Sequence, residues 1–527
     1  MVFIFNSLFR RPAINLIKNL LQTESLLFLT VCATALFGRS DAMMDRWILP
    51  KQYYTILAMS AMVIILGLKT LWGKTVKFDF TSAAIIITAL CTSESVYGLC
   101  QWTGWATPDI YYRVTGHFDN PAGLTACLCV GIPFVLYLWD KPIISRKLLL
   151  VCLSAILTAI LLSKSRTGIL TAIIIIADFA LLLNGFSGKK RLAFIITSAM
   201  VLTAVGYFIK KGSADGRVLI WFSSLDMLCD APLTGHGIGA FRRLYMSYQA
   251  EWLDRHPNNG FATLADNAVA PFNEFLNLGI CFGATGFVVL ISMMIYIRNE
   301  YKKAHSREKS VVLSVLICIG IMSMFSYPLT YPMTWIVGLF CIFTLIKDNF
   351  LLNKFSRNIL SVTAISLSLL ISVTVIRQLD AEQRWKRAYI HRDMAEYESL
   401  MSELGDNPYF LYNYSVRLFD DGLTDKSLET ALKCRDYMAN YDFELLLGDI
   451  YAQKGEFSMA EKYYLHAASM CPCRFVPLNQ LYDLYTAHGF DNKAKEVARK
   501  VTGMPIKVKS RTVAQIRYKM KKALGMV

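Results

Sequence analysis

Charged residues are scarce in this chain. Only 18% of its 527 residues are Asp, Glu, Lys or Arg, whereas 54% are hydrophobic, and the mean hydropathy is +0.40. Soluble proteins of this length rarely have so apolar a composition, and here the apolar residues come in long blocks. The composition therefore excludes an ordinary soluble protein and predicts a membrane protein.

The apolar blocks have the length of membrane-spanning helices, which need about 20 mostly apolar residues. The sequence predicts an all-α fold with a polytopic bundle of about eleven transmembrane helices. Two segments are short, and one pair could be re-entrant. The predicted segments are residues 24–38, 54–72, 79–101, 122–139, 148–163, 167–185, 191–209, 274–297, 310–328, 331–346 and 358–376.

Acidic residues are fewer than basic ones, and the formal charge is +16. Such a charge often indicates a nucleic-acid partner, but here the cations cluster in every second short connection between apolar segments. Cytoplasmic loops of membrane proteins carry this excess of Lys and Arg. We therefore expect no nucleic-acid partner, a cytoplasmic N-terminus and, with an odd number of spans, a C-terminal region outside.

The sequence also lacks a recognisable cleavable signal peptide. Residues 3–21, with Arg10, Arg11 and Lys18, predict an interfacial helix that leads into an uncleaved first span. Most of the 13 cysteines lie in apolar segments, and a disulfide between Cys471 and Cys473 is not assigned.

The residues after 376 are polar and repetitive. Small and aromatic residues recur with the spacing of a tetratricopeptide repeat, in which a helix pair packs closely through small side chains. We predict two domains: a membrane domain over residues 1–376, with a large outward loop at 210–270, and an outward α-solenoid of such repeats over 377–527. The recurring positions are Gly448, Tyr451, Gly455, Ala460 and Tyr464, then Tyr482, Tyr485, Gly489, Ala494 and Ala498, with a weaker copy from Pro408.

Two cations lie on the predicted outer side, where the charge rule does not require them. Lys164 and Arg166 belong to a short connection between two apolar segments. Arginine at bilayer depth costs about 2.5–3.5 kcal/mol on insertion scales, so it usually has a partner or a function. The alternative is that these side chains extend to the outer headgroups.

The 210–270 loop contains a helical pattern followed by glycines. Arg217, Trp221 and Leu225 fall on one helix face, as in a helix at a membrane surface. Beyond Pro232, the glycines at 235, 237 and 239 predict a turn whose backbone N–H groups approach a ligand. No strand precedes them, so they are not a dinucleotide fingerprint.

Polar residues also mark two other outward boundaries. Asp266, Asn273 and Glu274 precede an apolar segment, and His117 and Asn120 precede another. Carboxylates at such a boundary can simply mark the membrane interface. A carboxylate beside cations is also a plausible general base, whereas a lone histidine is more often structural.

The order of these motifs resembles the O-antigen ligase family, which includes related polymerases and O-oligosaccharyltransferases. The resemblance covers residues 116–346 and rests on SRTG, GRVLIW, PLTGHGIGAF with Tyr245 following, FNEFLNLGICFGATG and SYPL. The layout of a membrane bundle followed by repeats is also similar to longer members of the family.

The resemblance implies a metal-independent, inverting glycosyltransferase without a cofactor at the periplasmic face of the bacterial inner membrane. Its donor would be a glycan linked to undecaprenyl pyrophosphate in the bilayer. Arg166 and Arg217, with Lys164, occupy the positions expected to bind the pyrophosphate, where guanidinium groups pair with developing negative charge. The residues expected to contact substrate are Asn273, Trp221, Gly237, Tyr245 and Asn120.

Phe272 departs from the family pattern, because many ligases have a histidine there that serves as base or activator. A phenyl ring transfers no proton. The role could pass to Glu274, which we favour, or to Asp266. His236 and His256 are further candidates. Alternatively, binding and orientation alone drive the reaction, or the protein has lost activity.

The sequence is compatible with several functions. The acceptor could be lipid A core, a protein Ser or Thr, or another repeat unit, as in a polymerase. A transporter is a second hypothesis, although no inverted repeat is recognisable. A noncatalytic scaffold that recruits periplasmic proteins through its repeats is a third, and Phe272 is its best argument.

Overall fold

The computed structural model describes residues 13–186, 188–209, 211–257, 260–303, 306–346 and 353–527. All regular elements in these ranges are helices, which confirms the predicted all-α class. Residues 3–12 of the predicted interfacial helix lie outside the described residues, and the next residues form the first helix.

Each of the eleven predicted membrane segments coincides with one helix. The fourteen helices of this part of the described chain are α1 (Ala13–Leu20), α2 (Thr23–Phe37), α3 (Ile48–Leu71), α4 (Phe80–Thr103), α5 (Pro121–Trp139), α6 (Arg146–Leu162), α7 (Arg166–Leu183), α8 (Gly188–Ile209), α9 (Lys211–Asp230), α10 (Ala240–Arg255), α11 (Glu274–Lys303), α12 (Arg307–Phe325), α13 (Pro332–Ile346) and α14 (Lys354–His391).

Six helices of the described chain are long and apolar enough to cross a membrane, namely α3, α4, α5, α11, α12 and α14. Two further apolar helices, α2 and α13, have 15 residues each. Several apolar helices of this length are the property expected of a multi-pass membrane protein.

The chain forms two compact units, Met1–Phe208 with Ile291–Arg387, and Ile209–Leu290 with Ala388–Val527. The sequence predicts a domain boundary between residues 376 and 377, where the last membrane segment ends and the repeat region begins. The contacts instead group most of the 210–270 loop with the repeats, and α14 runs across the predicted limit.

The first unit is built around α5. Residues 123–135 of this helix are all buried, and α4, α6, α7 and α12 pack against it. Asn120 begins the helix by accepting hydrogen bonds from the backbone N–H groups of Ala122 and Gly123 at 2.8 and 3.0 Å. Such a cap satisfies donors that the first helical turn leaves without partners.

The second unit contains eight more helices, of which consecutive ones pack in pairs. Gly448 shows why small residues recur there, because a Cβ at this position would lie 2.3 Å from Cε1 of Tyr464. Assignment to the tetratricopeptide class stays a prediction. The helices are α15 (Met394–Leu404), α16 (Pro408–Asp420), α17 (Thr424–Arg435), α18 (Tyr441–Gln453), α19 (Phe457–Met470), α20 (Val476–Ala487), α21 (Asp491–Gly503) and α22 (Arg511–Ala523).

The 210–270 loop and the repeats share a core. Met227, Phe241 and Tyr245 from the loop are buried together with Met470 and Cys471 from the end of α19 and the residue after it. Hydrogen bonds accompany this packing: the backbone N–H of Ala439 donates to the carbonyl of Arg242 at 3.1 Å. The loop is therefore part of a folded unit and not only a connection between membrane segments.

Gly448→Ala should destabilise the repeats, because its Cβ would overlap the Tyr464 ring. Overpacking of this kind costs about 1–3 kcal/mol. We expect a lower apparent melting temperature of the purified protein. Gly503→Ala is the matched control, since a Cβ there meets nothing within 4 Å. Equal melting temperatures for the two variants would contradict the close helix packing.

Candidate functional site

The chain turns into α11 through residues 271–274. Asn273 caps the helix: its Oδ1 accepts a hydrogen bond from the N–H of Leu276 at 3.0 Å. Glu274 is the first residue of α11, where a carboxylate interacts favourably with the positive end of the helix dipole. Within the described chain the Asn273 Nδ2 group donates to no protein atom, so its N–H groups can bind a ligand.

Helix α9 places Arg217 and Trp221 against this turn. The Arg217 guanidinium lies 5.2 Å from the centre of the Phe272 ring, and Trp221 Nε1 donates to the carbonyl of Pro271 at 3.0 Å. The two residues are one helical turn apart, so they share a face as the sequence predicts. The structure thus brings four of the predicted site residues, Arg217, Trp221, Asn273 and Glu274, to one side of the second unit.

Phe272 has an unusual backbone conformation, with φ at +53°. A bulky side chain is strained in this left-handed region, and such strain persists only where the surroundings hold it. Here the contact of Arg217 with the Phe272 ring and the hydrogen bond from Trp221 to the Pro271 carbonyl hold residues 271 and 272 in the turn. Phe272 is therefore a packed support for Arg217.

The glycine turn at 232–237 is bonded to α11. That helix is interrupted at Gly283, which has φ +57° and ψ −146°. The N–H groups of Ala284 and Thr285 donate to the carbonyls of Pro232 and Leu233 at 2.8 and 3.2 Å. In return, the N–H groups of residues 236 and 237 donate to the carbonyls of residues 280 and 281 at 2.8 and 3.0 Å.

Gly237 therefore differs from its predicted role. Its N–H group is bonded to the carbonyl of Cys281 and is not presented to a ligand. The physical reason is the break in α11, which leaves carbonyl groups that need donors. The prediction of a turn is confirmed, since residues 235, 237 and 239 all have positive φ.

Tyr245 lies in the core of the second unit. Its side chain is buried, its ring stacks on Phe241, and its hydroxyl donates to Gln249 Oε1 at 2.6 Å. Gln249 in turn donates to the carbonyl of Met470 at 2.8 Å. Tyr245 thus joins the loop to the repeats, and we leave it out of the proposed site.

Asp266 is bound by cations of the repeats. Its carboxylate accepts from Arg474 at 2.6 Å and lies 3.5 Å from Lys507 Nζ. Burial alone would raise the pKa of Asp266, but the hydrogen bond and charge of Arg474 and the charge of Lys507 lower this pKa overall. A carboxylate held ionised in this way is a weaker proton acceptor than a carboxylate without such partners.

The two loop histidines have structural partners. His236 Nε2 lies 2.7 Å from the carbonyl of Met227, and His256 Nδ1 lies 2.8 Å from the carbonyl of Trp252. The His256 ring also stacks on Trp252 at 4.3 Å. These contacts orient the loop helices.

Lys164 and Arg166 lie in the first unit, in the tight connection between α6 and α7. Lys164 is exposed and has φ at +57°, and Arg166 is the first residue of α7. Ser165 caps α7 and its Oγ accepts a hydrogen bond from Thr125 at 2.9 Å. This bond fixes the start of α7, and hence Arg166, against α5.

Asn120 also belongs to the first unit. Besides capping α5, it donates to Asp119, Tyr327 and Tyr331 at 2.7, 3.1 and 2.9 Å. Burial raises the pKa of Asp119, although the hydrogen bonds of Tyr331 and Asn120 oppose that rise. Asn120 therefore joins two loops of the first unit, and a substrate contact would have to displace one of these bonds.

The sequence by itself does not connect Glu94 with His117. The structure places the His117 ring 2.8 Å from the Glu94 carboxylate, inside the first unit. The sequence did indicate that Glu94 is unusual, because a carboxylate deep in an apolar segment usually has a partner or a function. Because 23 residues separate Glu94 from His117, the sequence does not identify His117 as that partner.

Metal binding was not expected. Among the described residues, no three or more His, Cys, Asp or Glu side chains are arranged to hold a metal ion.

The fold defines an all-α, multi-pass membrane protein. Residues 148–291 match a family model described as O-Antigen ligase. This segment is about a quarter of the chain, lies inside the region of predicted resemblance, and includes Arg166, Arg217 and Glu274. No curated protein matches the chain. The match supports an enzyme of the glycosyltransferase type that acts on glycan-bearing lipids in the bilayer.

Gly235→Ala should disrupt the junction between the turn and α11. A Cβ at Gly235 would lie 2.4 Å from the backbone of residues 281 and 282, and φ there is +69°. Gly237→Ala is the matched control: its φ is also positive, but a Cβ meets nothing within 4 Å, so only the left-handed backbone penalty of about 1–2 kcal/mol applies. We expect a larger fall in the melting temperature for Gly235→Ala. A similar fall in both variants would count against the close backbone approach.

Proposed function

We propose that the protein is an inverting glycosyltransferase of the periplasmic face of the bacterial inner membrane. It transfers a glycan from undecaprenyl pyrophosphate to an acceptor hydroxyl. The observation that carries this proposal is the position of Arg217, whose guanidinium packs on Phe272 beside Asn273 and Glu274. All four residues lie in the segment that matches the O-antigen ligase family.

The chemistry of the transfer suits these residues. As the bond between the sugar and the pyrophosphate breaks, negative charge develops on the leaving group, and a guanidinium fork binds such oxygens bidentately. Arg217 is oriented by its contact with Phe272, so little side-chain freedom is lost on binding. In the first unit, Arg166 and the exposed Lys164 are the other two cations that the resemblance to the family assigns to pyrophosphate binding.

Glu274, the carboxylate that the sequence favours for accepting the proton of the acceptor hydroxyl, is the first residue of α11. Asp266 is held by Arg474 and Lys507. The Asn273 amide, beside Glu274, can donate a hydrogen bond to a sugar hydroxyl. No step of this mechanism needs a metal ion or a cofactor.

The acceptor in this proposal is lipid A core or a Ser or Thr of a periplasmic protein, with a growing repeat unit as the alternative. The repeats pack on the 210–270 loop through Gln249 and Asp266. A protein recognised by the repeats would therefore be held on the same unit as Arg217. This arrangement supports a protein partner bound by the repeats.

Arg217→Ala should abolish transfer while leaving the protein folded. Removal of one such charge-stabilising donor lowers turnover by about 100- to 1,000-fold. The measurement is transfer in vitro with purified protein, lipid-linked oligosaccharide and candidate acceptors. Arg217→Lys keeps the charge without the planar fork, and should also be severely impaired.

Arg255→Ala is the control for this series, because Arg255 is an exposed arginine of the same unit that pairs with Asp226. It should transfer normally. Full activity of Arg217→Ala would remove Arg217 from the mechanism. Absence of transfer by the unaltered protein to every acceptor, beside normal lipid binding, would reject the enzyme itself.

The outward position of the 210–270 loop can be tested with a natural residue. Of the 13 cysteines, all within the described residues, Cys229 is the exposed one. We expect a membrane-impermeant maleimide to label it in intact spheroplasts, and Cys229→Ser to remove the label. Labelling of Cys229 only after permeabilisation would reverse the topology.

A further inference from the structure

The loop before α5 is anchored to α4 by a carboxylate–histidine pair. Glu94 Oε2 lies 2.8 Å from His117 Nδ1, and Glu94 Oε1 accepts from the backbone N–H of His117 at 2.7 Å. The Glu94 side chain is fully buried, whereas 23% of the His117 side chain is exposed. Both carboxylate oxygens are thus used to hold one histidine that still reaches the surface.

The pairing defines the proton positions on the ring. An ionised carboxylate only accepts hydrogen bonds, so His117 Nδ1 carries a hydrogen, and in the neutral form of an imidazole with this tautomer Nε2 has the unshared electron pair. Lys51, a buried residue at the start of α3, places a positive charge beside the same loop. Its Nζ donates to the carbonyl of His117 at 2.6 Å and to that of Gly38 at 2.8 Å.

The ring is also fixed in direction. Tyr97 stacks on it with the ring centres 4.0 Å apart, and Phe37 meets it edge-on at 5.4 Å. His117 Nε2 forms no hydrogen bond in the described part of the chain. The imidazole is therefore held on three sides, and Nε2 is the ring nitrogen without a hydrogen-bond partner among the described residues.

Gly116 makes this geometry achievable. Its φ is +61°, and a Cβ at this position would lie 2.1 Å from Glu94 Oε1. Gln101 supports the same loop, because its Oε1 accepts from the N–H groups of Thr115 and Gly116 at 3.0 and 2.8 Å. The loop is shaped so that Glu94 reaches His117.

The pair lies at the same end of the first unit as Arg166. Asn120, three residues after His117, caps α5, and Thr125 in the second turn of that helix donates to Ser165, the cap of α7. A Cβ at Gly168 would lie 2.4 Å from Thr125, so α7 approaches α5 closely at this end. This ring nitrogen and the cation expected at the pyrophosphate thus occupy one end of the unit.

We propose that His117, oriented by Glu94, is the general base of the transfer reaction. This inference rests on the proposed function and assigns the proton-accepting role for which Phe272 is unsuited. Nε2 takes the proton of the acceptor hydroxyl while that oxygen bonds to the anomeric carbon. The bond from this carbon to the pyrophosphate breaks, its electron pair leaves with the pyrophosphate, and the imidazolium later releases its proton to water. Glu94 is a positioning residue.

The test uses the full-length protein and the transfer assay with lipid-linked oligosaccharide. General-base catalysis contributes about 100- to 10,000-fold, so His117→Ala should lose at least about 100-fold in turnover and keep its affinity for the donor lipid. Added imidazole should restore part of the turnover. Glu94→Gln should be similarly slow, because an amide can donate to Nδ1 and favour the wrong tautomer.

Gln101→Ala is the matched control, because it loosens the same loop without removing the imidazole. Its turnover should not respond to imidazole. Retention of more than half of the activity by His117→Ala overturns the proposal, as does loss of donor binding without rescue. If His117→Ala does not fold, Glu94→Gln decides: retention of more than half of the turnover, or loss of donor binding, overturns the proposal. Absence of transfer by the unaltered protein would instead reject the proposed function.

Discussion

A helix interrupted within an apolar segment leaves backbone groups without partners, and unsatisfied groups of this kind are costly in a bilayer. In α11 the interruption at Gly283 exposes two N–H groups and two carbonyls, and the turn at 232–237 pairs with all four. The start of α11 and the loop helices are thereby joined. Arg217, Trp221 and the 271–274 turn depend on that junction, because both sides of the contact come from the elements it connects.

The need of buried polar groups for partners also explains the buried charges of the first unit. Asp178 in α7 pairs with Arg191 in α8 through two hydrogen bonds at 2.8 and 2.7 Å. A buried ion pair gains little net stability, but removal of one partner leaves a costly isolated charge. Asp178 and Arg191 thus satisfy each other. Glu94 and Lys51 differ, because their interactions hold His117 in place and leave one of its nitrogens without a protein partner.

Positions 272 and 117 differ in the chemistry that their side chains can perform. At position 272 this chain has a phenylalanine, which packs against an arginine and transfers no proton. At 117 it has a histidine oriented by a carboxylate. Charge recognition and proton transfer are separate tasks, so within the first unit the proposal assigns one to Arg166 and the other to His117.

Much of the fold was predictable from local pattern. Apolar blocks of bilayer length predict helices, because a helix satisfies its own backbone within the segment, and each of the eleven blocks coincides with one. The helix that carries Arg217 and Trp221 on one face was predictable for the same reason, as were the positive-φ glycines after it. Residues that are neighbours along the chain determine both features. The grouping of the 210–270 loop with the repeats was not predictable in this way.

The residues by themselves determined which side chains could carry charge or a proton: Arg217, Arg166, Glu274, Asp266 and His117. Only the tertiary structure decided their partners. Asp266 meets Arg474 across 208 residues, Trp221 meets Pro271 across 50, and Glu94 meets His117 across 23. Sequence spacing has no fixed relation to such contacts, since packing of whole helices sets them. It is those contacts that commit Asp266 to the repeats and leave His117 Nε2 without a hydrogen-bond partner among the described residues.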